Sequence, residues 1–223
     1  LLGSPVAHSI SPLMHNESFR LLGLDYVYLC FDVNVETLPA AVAGLKTCGI
    51  RGFNLTMPNK NKIVELLDEL SPEAQLIGAV NTVLNDNGKL IGYNTDGYGF
   101  MQSVRDAGHD ITGKNITVMG VGGASMAICA QSALDGAASV HIFARRTSRY
   151  WNRTQKFAEN LSAKTGCQVC LFDNDDHTAL RDSIAQRYLL INATSVGMVP
   201  DIDDTIIKDT SLFHPELVVA DVV

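Results

Sequence analysis

Basic residues are in deficit in this chain: it carries 17 lysines and arginines against 24 aspartates and glutamates, a formal net charge of -7. Such an acidic surface repels phosphate backbones and anionic lipids, so we expect no nucleic-acid partner and no membrane partner. The sequence also lacks an apolar run of membrane-spanning length. The opening segment 1–5 has neither the basic start nor the apolar core of a signal peptide, and we therefore expect a cytoplasmic protein.

Cysteines are few and odd in number, five in 223 residues, which is typical of a reduced cytosolic protein rather than a disulfide framework. Cys167 and Cys170 have the CxxC spacing of some redox and zinc sites. However, a strand over 168–172 would direct these two thiols to opposite faces, and no second pair completes a zinc site. We interpret them as ordinary strand cysteines and expect no bound metal.

Short apolar runs alternate with amphipathic stretches along the whole chain. Most runs are continuous, as in parallel strands that are covered on both faces. The predicted strands are 25–32, 50–56, 80–84, 115–119, 138–144, 167–172, 188–192 and 217–223. The predicted helices are 12–22, 36–47, 59–69, 72–78, 97–107, 124–135, 150–164 and 176–186. This alternation predicts an α/β architecture.

Two helix starts and one domain boundary are marked by local signals. Ser11-Pro12 and Ser71-Pro72 each place a good N-cap before a proline at the first helical position. The polar, glycine-bearing stretch 106–114 is typical of a connector. We therefore predict two domains, 1–108 and 109–223.

A glycine-rich turn follows directly on the apolar run 115–119 and leads into a helix of small residues. Gly120 allows the tight turn, Gly122 lets the backbone approach a pyrophosphate, and the helix N-terminus attracts negative charge. Ser125 replaces the third glycine of the usual fingerprint. The context predicts a dinucleotide site, with a purely structural glycine turn as the alternative. The predicted cofactor loop is Gly120, Val121, Gly122, Gly123 and Ala124.

The next strand ends in Arg145, Arg146 and Thr147, and no acidic residue occurs from position 136 to 158. Folds that bind NAD normally place a carboxylate here to hold the ribose 2′-hydroxyl. Arginines can instead form charge-assisted bonds with a 2′-phosphate, so this segment favours NADP, with NAD as the alternative. We assign Arg149 and Arg153 to a solvated helix face.

Two serines lie beside the first predicted helix start. Hydroxyls next to a helix N-terminus suit a small carboxylate, which predicts such a site at Ser9 and Ser11. The alternative is a plain N-cap at Ser11 and a loop residue at Ser9.

One lysine and one aspartate lie at strand-to-helix junctions upstream of the glycine turn. Lys60 falls in the first turn of the helix predicted to start near Pro58, and Asp96 precedes the helix 97–107. A lysine and a carboxylate beside a nucleotide site predict proton transfer coupled to hydride transfer. Taken singly, the alternatives are an exposed structural lysine and a helix N-cap.

Six segments, in this order and over nearly the whole chain, resemble the shikimate dehydrogenases. One of these segments contains the sequence Met57-Pro58-Asn59-Lys60, which is similar to that of the quinate/shikimate dehydrogenase branch. The segments are His8-Ser9-Ile10-Ser11-Pro12, Asn54-Leu55-Thr56-Met57-Pro58-Asn59-Lys60, Ala79-Val80-Asn81-Thr82, Asn94-Thr95-Asp96-Gly97, Gly120-Val121-Gly122-Gly123-Ala124 and Asn192-Ala193-Thr194-Ser195-Val196-Gly197-Met198.

The resemblance implies an N-terminal α/β substrate domain followed by a Rossmann-type, doubly wound dinucleotide-binding domain. It implies reversible reduction of 3-dehydroshikimate to shikimate in aromatic amino-acid biosynthesis, with quinate as a further candidate substrate. We expect a monomer or homodimer that binds this small molecule.

The resemblance also implies roles for individual residues. Lys60, assisted by Asp96, moves the proton. Both residues also contact the ring hydroxyls, together with Thr56 and Asn81. The remaining assignments are Ser9 and Ser11 to the substrate carboxylate, and Ser195 and Met198 to the nicotinamide.

The chain departs from the family in three respects. Arg145 stands where the family's cofactor motif has asparagine, which implies rearranged base and phosphate contacts. The acidic residue that the quinate branch often has at this loop is missing. The family also continues beyond the position of Val223 with a strand, a substrate-binding glutamine and a helix. Two other readings stay open: a dehydrogenase of the methylenetetrahydrofolate type and a non-catalytic sensor of shikimate-like ligands.

Overall fold

The computed structural model describes residues 1–199 and 202–222, and the chain divides into two compact units, Leu1–Thr95 and Asp96–Val223. The α/β class is confirmed, since strands and helices alternate in both units. The predicted boundary between a substrate domain and a nucleotide domain at 108 stays a prediction. Among the described residues, the helices are too short or too polar to cross a membrane.

The first unit contains a four-stranded mixed sheet and a parallel pair of short strands. The mixed sheet has the order β3-β5-β6-β4, and β1 pairs with β2. A parallel bridge from Leu2 to Leu55 connects the pair to the end of β3. The strands are β1 (Leu2–Gly3), β2 (Phe31–Asp32), β3 (Gly52–Asn54), β4 (Glu69–Leu70), β5 (Thr82–Asp86) and β6 (Lys89–Tyr93). The helices are α1 (Ser11–Leu21), α2 (Leu38–Thr47) and α3 (Pro72–Ile77), with a 3₁₀ turn at Lys62–Leu66.

The hairpin of β5 and β6 is absent from the sequence prediction, although its signal is present. Asp86 pairs with Lys89, so Asn87 and Gly88 form a two-residue loop. Both have positive φ, 52° and 92°. This is the geometry of the type I′ turn that Asn-Gly favours between antiparallel strands.

Two predicted elements of the first unit are wrong over most of their length. In the strand predicted at 25–32, only β2 pairs with another strand. The backbone of Tyr28 is bonded to the Asn16 side chain instead: Asn16 Nδ2 donates to the Tyr28 carbonyl at 3.0 Å, and the Tyr28 amide donates to Asn16 Oδ1 at 2.7 Å. In the helix predicted at 59–69, residues 57–61 form turns before the 3₁₀ segment. Lys60 therefore lies in a turn rather than in the first turn of a helix.

Of the two predicted N-cap residues, Ser71 is an N-cap and Ser11 is not. Ser71 Oγ accepts a hydrogen bond from the Ala74 amide at 3.3 Å, so the prediction for α3 is confirmed. The prediction for Ser11 is wrong, because α1 begins at Ser11 itself and Ile10 is the N-cap residue. Ser9 Oγ instead accepts from the Ser11 amide, at 3.2 Å.

The second unit contains a five-stranded parallel sheet of order β11-β10-β7-β8-β9. From β7 the chain proceeds outward through β8 to β9, and it then returns to the other side of β7 as β10 and β11. The strand order therefore reverses between β7 and β10. The strands are β7 (Asn115–Met119), β8 (Ser139–Ala144), β9 (Gln168–Asp173), β10 (Leu189–Asn192) and β11 (Val218–Asp221). The helices are α4 (Asp96–Asp106), α5 (Gly123–Leu134), α6 (Trp151–Thr165) and α7 (His177–Ala185), with a 3₁₀ turn at Thr210–Leu212.

The sequence prediction is accurate for this sheet, because its central strands are short and mostly apolar, although Thr117 interrupts β7 and His141 interrupts β8. Ile116, Val118 and Ile142 are completely buried, as expected of a parallel sheet that is covered on both faces. For the predicted strand 217–223, the final residue lies outside the described residues. The sheet order confirms the Rossmann-type architecture.

Candidate active site

Three of the predicted site residues of the first unit, Thr56, Lys60 and Asn81, lie on segments that meet at one edge of its sheet. β1 and the end of β3 run parallel, so their carboxyl ends meet there, and Ser4 N donates to the Met57 carbonyl at 3.0 Å. β5 runs antiparallel to β3, which brings Asn81, just before β5, to the same edge. The Leu55 amide donates to the Asn81 carbonyl at 2.8 Å. The segments that bear Thr56, Lys60 and Asn81 are therefore neighbours.

Ser9 and Ser11 form a linked pair of hydroxyls at the start of α1. Ser9 Oγ donates to Ser11 Oγ at 3.1 Å, and both side chains are half-buried. Because α1 begins at Ser11, amide groups of its first turn lie beside these hydroxyls. Hydroxyls and helix amides together form an environment that favours an anion.

Asn81 is held by a network that the sequence did not reveal. Its Oδ1 accepts from the Thr95 amide at 3.0 Å and from Thr82 Oγ1 at 2.9 Å, and its Nδ2 donates to Thr95 Oγ1 at 3.0 Å. Asn54 donates to Thr82 Oγ1 at 2.9 Å and accepts from the Tyr28 hydroxyl at 2.9 Å. Burial raises the pKa of Tyr28 to about 12, with the nearby Cys30 as a second cause, so this hydroxyl stays protonated. Asn81 is 9% exposed and its orientation is fixed.

The turn that carries Lys60 is fixed by its two neighbours. Asn59 is completely buried and donates from Nδ2 to the Val33 carbonyl at 2.7 Å. Asn61 donates from Nδ2 to the Gly78 carbonyl at 2.7 Å, and the Lys60 carbonyl accepts from the Val80 amide at 2.8 Å. The backbone of the turn that carries Lys60 is thus held in place on both sides.

Thr56 lies against β1 because Gly3 has no side chain. A Cβ on Gly3 would stand 2.2 Å from Thr56 Cγ2 and 2.9 Å from the Met57 carbonyl oxygen. The Thr56 amide donates to the Leu2 carbonyl at 3.0 Å. Gly3 therefore supports a predicted substrate residue, although nothing in the sequence marked it for that role.

The glycine turn of the second unit lies at the point where the strand order reverses. Gly120 has φ 110°, and a Cβ there would stand 2.6 Å from the carbonyl oxygen of Ala193, which follows β10. By contrast, no atom of the described residues lies within 4 Å of a Cβ placed on Gly122 or Gly123, so the described part of the loop is open on that side. An open, glycine-lined loop before a helix N-terminus can receive a pyrophosphate.

Ser125, which replaces the third glycine of the fingerprint, has a structural role in this loop. It is completely buried, and its Oγ donates to the Gly120 carbonyl at 2.6 Å. The hydroxyl connects the first turn of α5 back to the glycine turn and keeps the turn closed.

A cavity of about 790 Å³ lies beside this loop and brings together most of the predicted cofactor residues. Its volume is in the range of small-molecule and cofactor sites. Four predicted cofactor residues are not among the described residues that line it: Gly123, Ala124, Arg146 and Met198. The first two of these begin α5. The predicted residues that line the cavity are Gly120, Val121, Gly122, Arg145, Thr147 and Ser195.

The arginines at the end of β8 differ in their surroundings. The Arg146 guanidinium lies over the Trp151 ring, 4.6 Å from its centroid, whereas Arg149 lines the cavity. Arg149 lies over the Tyr150 ring at 4.7 Å and donates to the Tyr150 hydroxyl at 2.6 Å. The prediction that Arg149 belongs to a helix face is wrong, because α6 begins two residues later.

The opposite wall of the cavity is formed by the loop after β10, and Asn192 organises it. Its Oδ1 accepts from the Thr194 amide and hydroxyl, at 3.1 and 2.7 Å. Its Nδ2 donates to the Val196 carbonyl at 3.3 Å and to Asp221 Oδ2 at 3.0 Å. These bonds use both acceptor and both donor positions of one amide. Asn192 thereby orients the loop of Ser195, and the sequence motif included it without indicating this role.

Asp96 is the first residue of α4 and belongs to the second unit, while Lys60 belongs to the first. Their pairing stays a prediction.

A parallel sheet of this order, a glycine turn at its switch point and an arginine-lined cavity beside it are typical of the dinucleotide-binding domain of Rossmann-class oxidoreductases. The family model described as the shikimate dehydrogenase substrate binding domain matches residues 1–83. The shikimate dehydrogenase (NADP(+)) of Listeria innocua is 49% identical over 223 residues, all of this chain and 76% of that protein.

Solved structures give the same result. A shikimate 5-dehydrogenase of Listeria monocytogenes, in complex with shikimate and NAD, has a TM-score of 0.97 at 48% identity, over 100% of this chain and 76% of that one. A shikimate dehydrogenase in complex with NADP+ has a TM-score of 0.83 at 39% identity, over 99% of this chain and 74% of that one. The chain belongs to the shikimate dehydrogenase family.

Proposed function

We propose that this protein catalyses the reversible, NADP-linked interconversion of 3-dehydroshikimate and shikimate. One observation carries the proposal: all of the chain superimposes, at a TM-score of 0.97, on a relative that binds shikimate and a nicotinamide dinucleotide. The linked serines, the fixed Asn81 and the rigid Lys60 turn of the first unit are groups suited to a small polyhydroxy acid.

The chain's own residues suit the cofactor. Gly122 leaves space for close approach of a pyrophosphate, and the N-terminus of α5 supplies amide groups and the positive end of a helix dipole. Arg145 and Arg149 would receive the 2′-phosphate of NADP, and Ser195 lines the cavity beside them. When bound, the reduced cofactor supplies the hydride that adds to the ketone carbon.

The protein groups bind the substrate and supply the proton. Ser9 and Ser11 bind the substrate carboxylate, and Thr56 and Asn81 bind ring hydroxyls. As the carbonyl oxygen gains negative charge, the Lys60 ammonium stabilises it and donates a proton to it, which completes the alcohol. Asp96 orients the lysine. In the direction of oxidation, the neutral lysine accepts the same proton.

Product analysis tests the proposal against its two rivals. Purified enzyme with shikimate and NADP+ is expected to form 3-dehydroshikimate and NADPH in equal amounts. A sensor would bind shikimate without turnover. An enzyme of the methylenetetrahydrofolate type would reduce NADP+ with that folate and not with shikimate. Either of these two results would overturn the proposal.

The cavity arginines are expected to set the preference for NADP. Arg145→Ala and Arg149→Ala should each raise KM for NADP roughly tenfold or more, because each loses a charge-assisted bond to the 2′-phosphate. Use of NAD should be nearly unaltered. Arg153→Ala, an exposed position within α6, is the matched control and should change neither constant. Equal losses with NAD and NADP in the cavity variants would contradict this assignment.

The serine pair is expected to act mainly in substrate binding. Ser9→Ala and Ser11→Ala should each raise KM for shikimate by roughly 10-fold or more, the effect of losing a hydrogen bond to a charged group, while kcat changes less. Because the hydroxyl of Ser11 is not an N-cap, Ser11→Ala should leave thermal stability nearly unchanged, in contrast to Ser71→Ala, which removes a true cap. An unchanged KM in both serine variants would mean that the carboxylate binds elsewhere.

A further inference from the structure

α4 packs against α5 within the second unit, and the backbones of the two helices meet at the end of α4 that carries Asp96. A Cβ on Gly97 would stand 2.2 Å from the Ala127 carbonyl oxygen, 2.8 Å from its carbonyl carbon and 2.9 Å from Gln131 Cβ. Gly97 is buried, and Ala127 is completely buried. The two helix backbones therefore touch here, with no space for a side chain.

The rest of α4 is held against α5 by contacts that do not involve Gly97. One turn further on, Met101 is 1% exposed and its Sδ lies 4.0 Å from Ser132 Oγ. Another turn on, Arg105 Nη1 lies 2.9 Å from Asp135 Oδ2, beyond the end of α5. The spacing of four residues places these contacts along one face of α4.

The close contact lies near the start of α5, beside the glycine turn. Ala127 lies about one turn after Gly123, where α5 begins, and the glycine turn immediately precedes that start. The first turn of α4 thus rests on the opening turns of the helix that closes the cofactor loop. We infer that Gly97 is a positioning residue, which places Asp96 relative to the cofactor loop by allowing α4 and α5 to meet backbone to backbone. The inference rests on the catalytic role proposed for Asp96.

A methyl group at position 97 would disturb this arrangement locally. Ordinary van der Waals contact begins near 3.4 Å, so a Cβ at 2.2 Å would have to move by more than 1 Å. The contacts of Met101 and Arg105 hold the middle and the far end of α4, so the displacement falls on the turn of Asp96. A misplacement of about 1 Å in a catalytic arrangement can reduce turnover by as much as ~10²-fold.

The chain offers a matched control two residues away. Gly99 lies in the same helix, and a Cβ there meets no atom within 4 Å in the part of the chain that the structure describes. Gly99→Ala therefore makes the same chemical change in α4 without touching α5. It should leave kcat unchanged and should not lower thermal stability.

The test compares Gly97→Ala, Gly99→Ala, Asp96→Asn and the double variant Gly97→Ala/Asp96→Asn. Gly97→Ala is expected to lower kcat roughly 10- to 100-fold. The Kd for NADP, measured by fluorescence titration without substrate, should change less than about threefold, because the cofactor loop itself is unaltered. In the Asp96→Asn background, Gly97→Ala should have little further effect on kcat, because both changes act on one group.

Three results would decide against the inference. Equal effects of Gly97→Ala with and without Asp96 would show that Gly97 acts independently of it. A loss of NADP affinity parallel to the loss of kcat would show a merely structural role. An Asp96→Asn enzyme with normal kcat would remove the proposed role of Asp96 itself, which is a separate failure.

If Gly97→Ala does not fold, Met101→Ala loosens the same helix contact one turn further on. A folded Met101→Ala enzyme is expected to lose kcat several-fold where Asp96 is present and little where it is replaced. An unchanged kcat in this variant would overturn the inference.

Discussion

Lys60→Ala is expected to lower kcat roughly 10²–10⁴-fold, the usual range for loss of a general acid–base group. The reason is that the carbonyl oxygen then gains negative charge without an ammonium to stabilise it or a proton donor to neutralise it. KM for shikimate should rise less, since the interaction is strongest in the transition state. The measurement is steady-state kinetics at saturating NADP.

Lys62→Ala is the matched control for this prediction. Lys62 follows two residues later and forms an exposed ion pair with Glu65, Nζ to Oε2 at 2.6 Å. Exposed pairs of this kind contribute little, so kcat and stability should be nearly unchanged. A similar kcat in the Lys60 and Lys62 variants would remove Lys60 from the mechanism.

Asp96→Asn should also lower kcat, and the double variant Lys60→Ala/Asp96→Asn should be little worse than the poorer single variant. Groups that act as one unit are strongly non-additive, because removing either one already loses their joint effect. Strictly additive losses would instead mean that the two residues act independently.

Gly120→Ala is expected to destabilise the protein by roughly 2–4 kcal/mol, the combined cost of an unfavourable backbone conformation and an overpacked contact. The residue has φ 110°, and its new Cβ would stand 2.6 Å from the Ala193 carbonyl oxygen. Thermal unfolding measures this effect, since a loss of this size should lower Tm by several degrees.

Gly122→Ala separates the folding role of the glycine turn from its binding role. Gly122 has φ -78° and ψ -178°, and over residues 1–199 and 202–222 no atom lies within 4 Å of its Cβ position. Stability should therefore change by less than about 1 kcal/mol. KM for NADP should nevertheless rise, because the methyl group would stand where the pyrophosphate approaches. Loss of stability without loss of affinity at Gly122 would contradict the assignment of this loop.

The second unit could be predicted from the sequence almost entirely, for a physical reason. Its central strands are covered on both faces, so they appear as short, mostly apolar runs bounded by glycine and polar residues. The glycine turn after β7 predicts a cofactor site through local backbone requirements alone. Arg149 was assigned wrongly because its surroundings depend on where α6 begins, and helix boundaries are the least certain part of a sequence pattern.

The structure of the first unit was harder to predict from the sequence, because its local structure depends on side-chain hydrogen bonds between segments that are distant in sequence. Asn16 satisfies the backbone of Tyr28, and Asn59 and Asn61 fix the turn of Lys60 through carbonyls at Val33 and Gly78. Asparagine is common in loops, and no spacing rule indicates which carbonyl it will bind. The Asn87-Gly88 hairpin, by contrast, carried a clear local signal that the prediction did not use.

Gly3 and Gly97 show a second reason why the site could not be predicted completely from the sequence. Both glycines permit a close approach to a segment far away in sequence, at Thr56 and at Ala127. Such an approach leaves no local pattern, since the same residue type also serves turns and caps. Structure is needed to distinguish Gly97 from Gly99 two residues later in the same helix.

The most direct test of this account is the ratio of kcat/KM across four pairings: shikimate or quinate, each with NADP or NAD. We expect shikimate with NADP to give the highest value, because the cavity carries arginines at the end of β8 and the chain belongs to the shikimate dehydrogenase family. Quinate, if used, should be the poorer substrate. A higher kcat/KM for NAD than for NADP, or for quinate than for shikimate, would contradict the account.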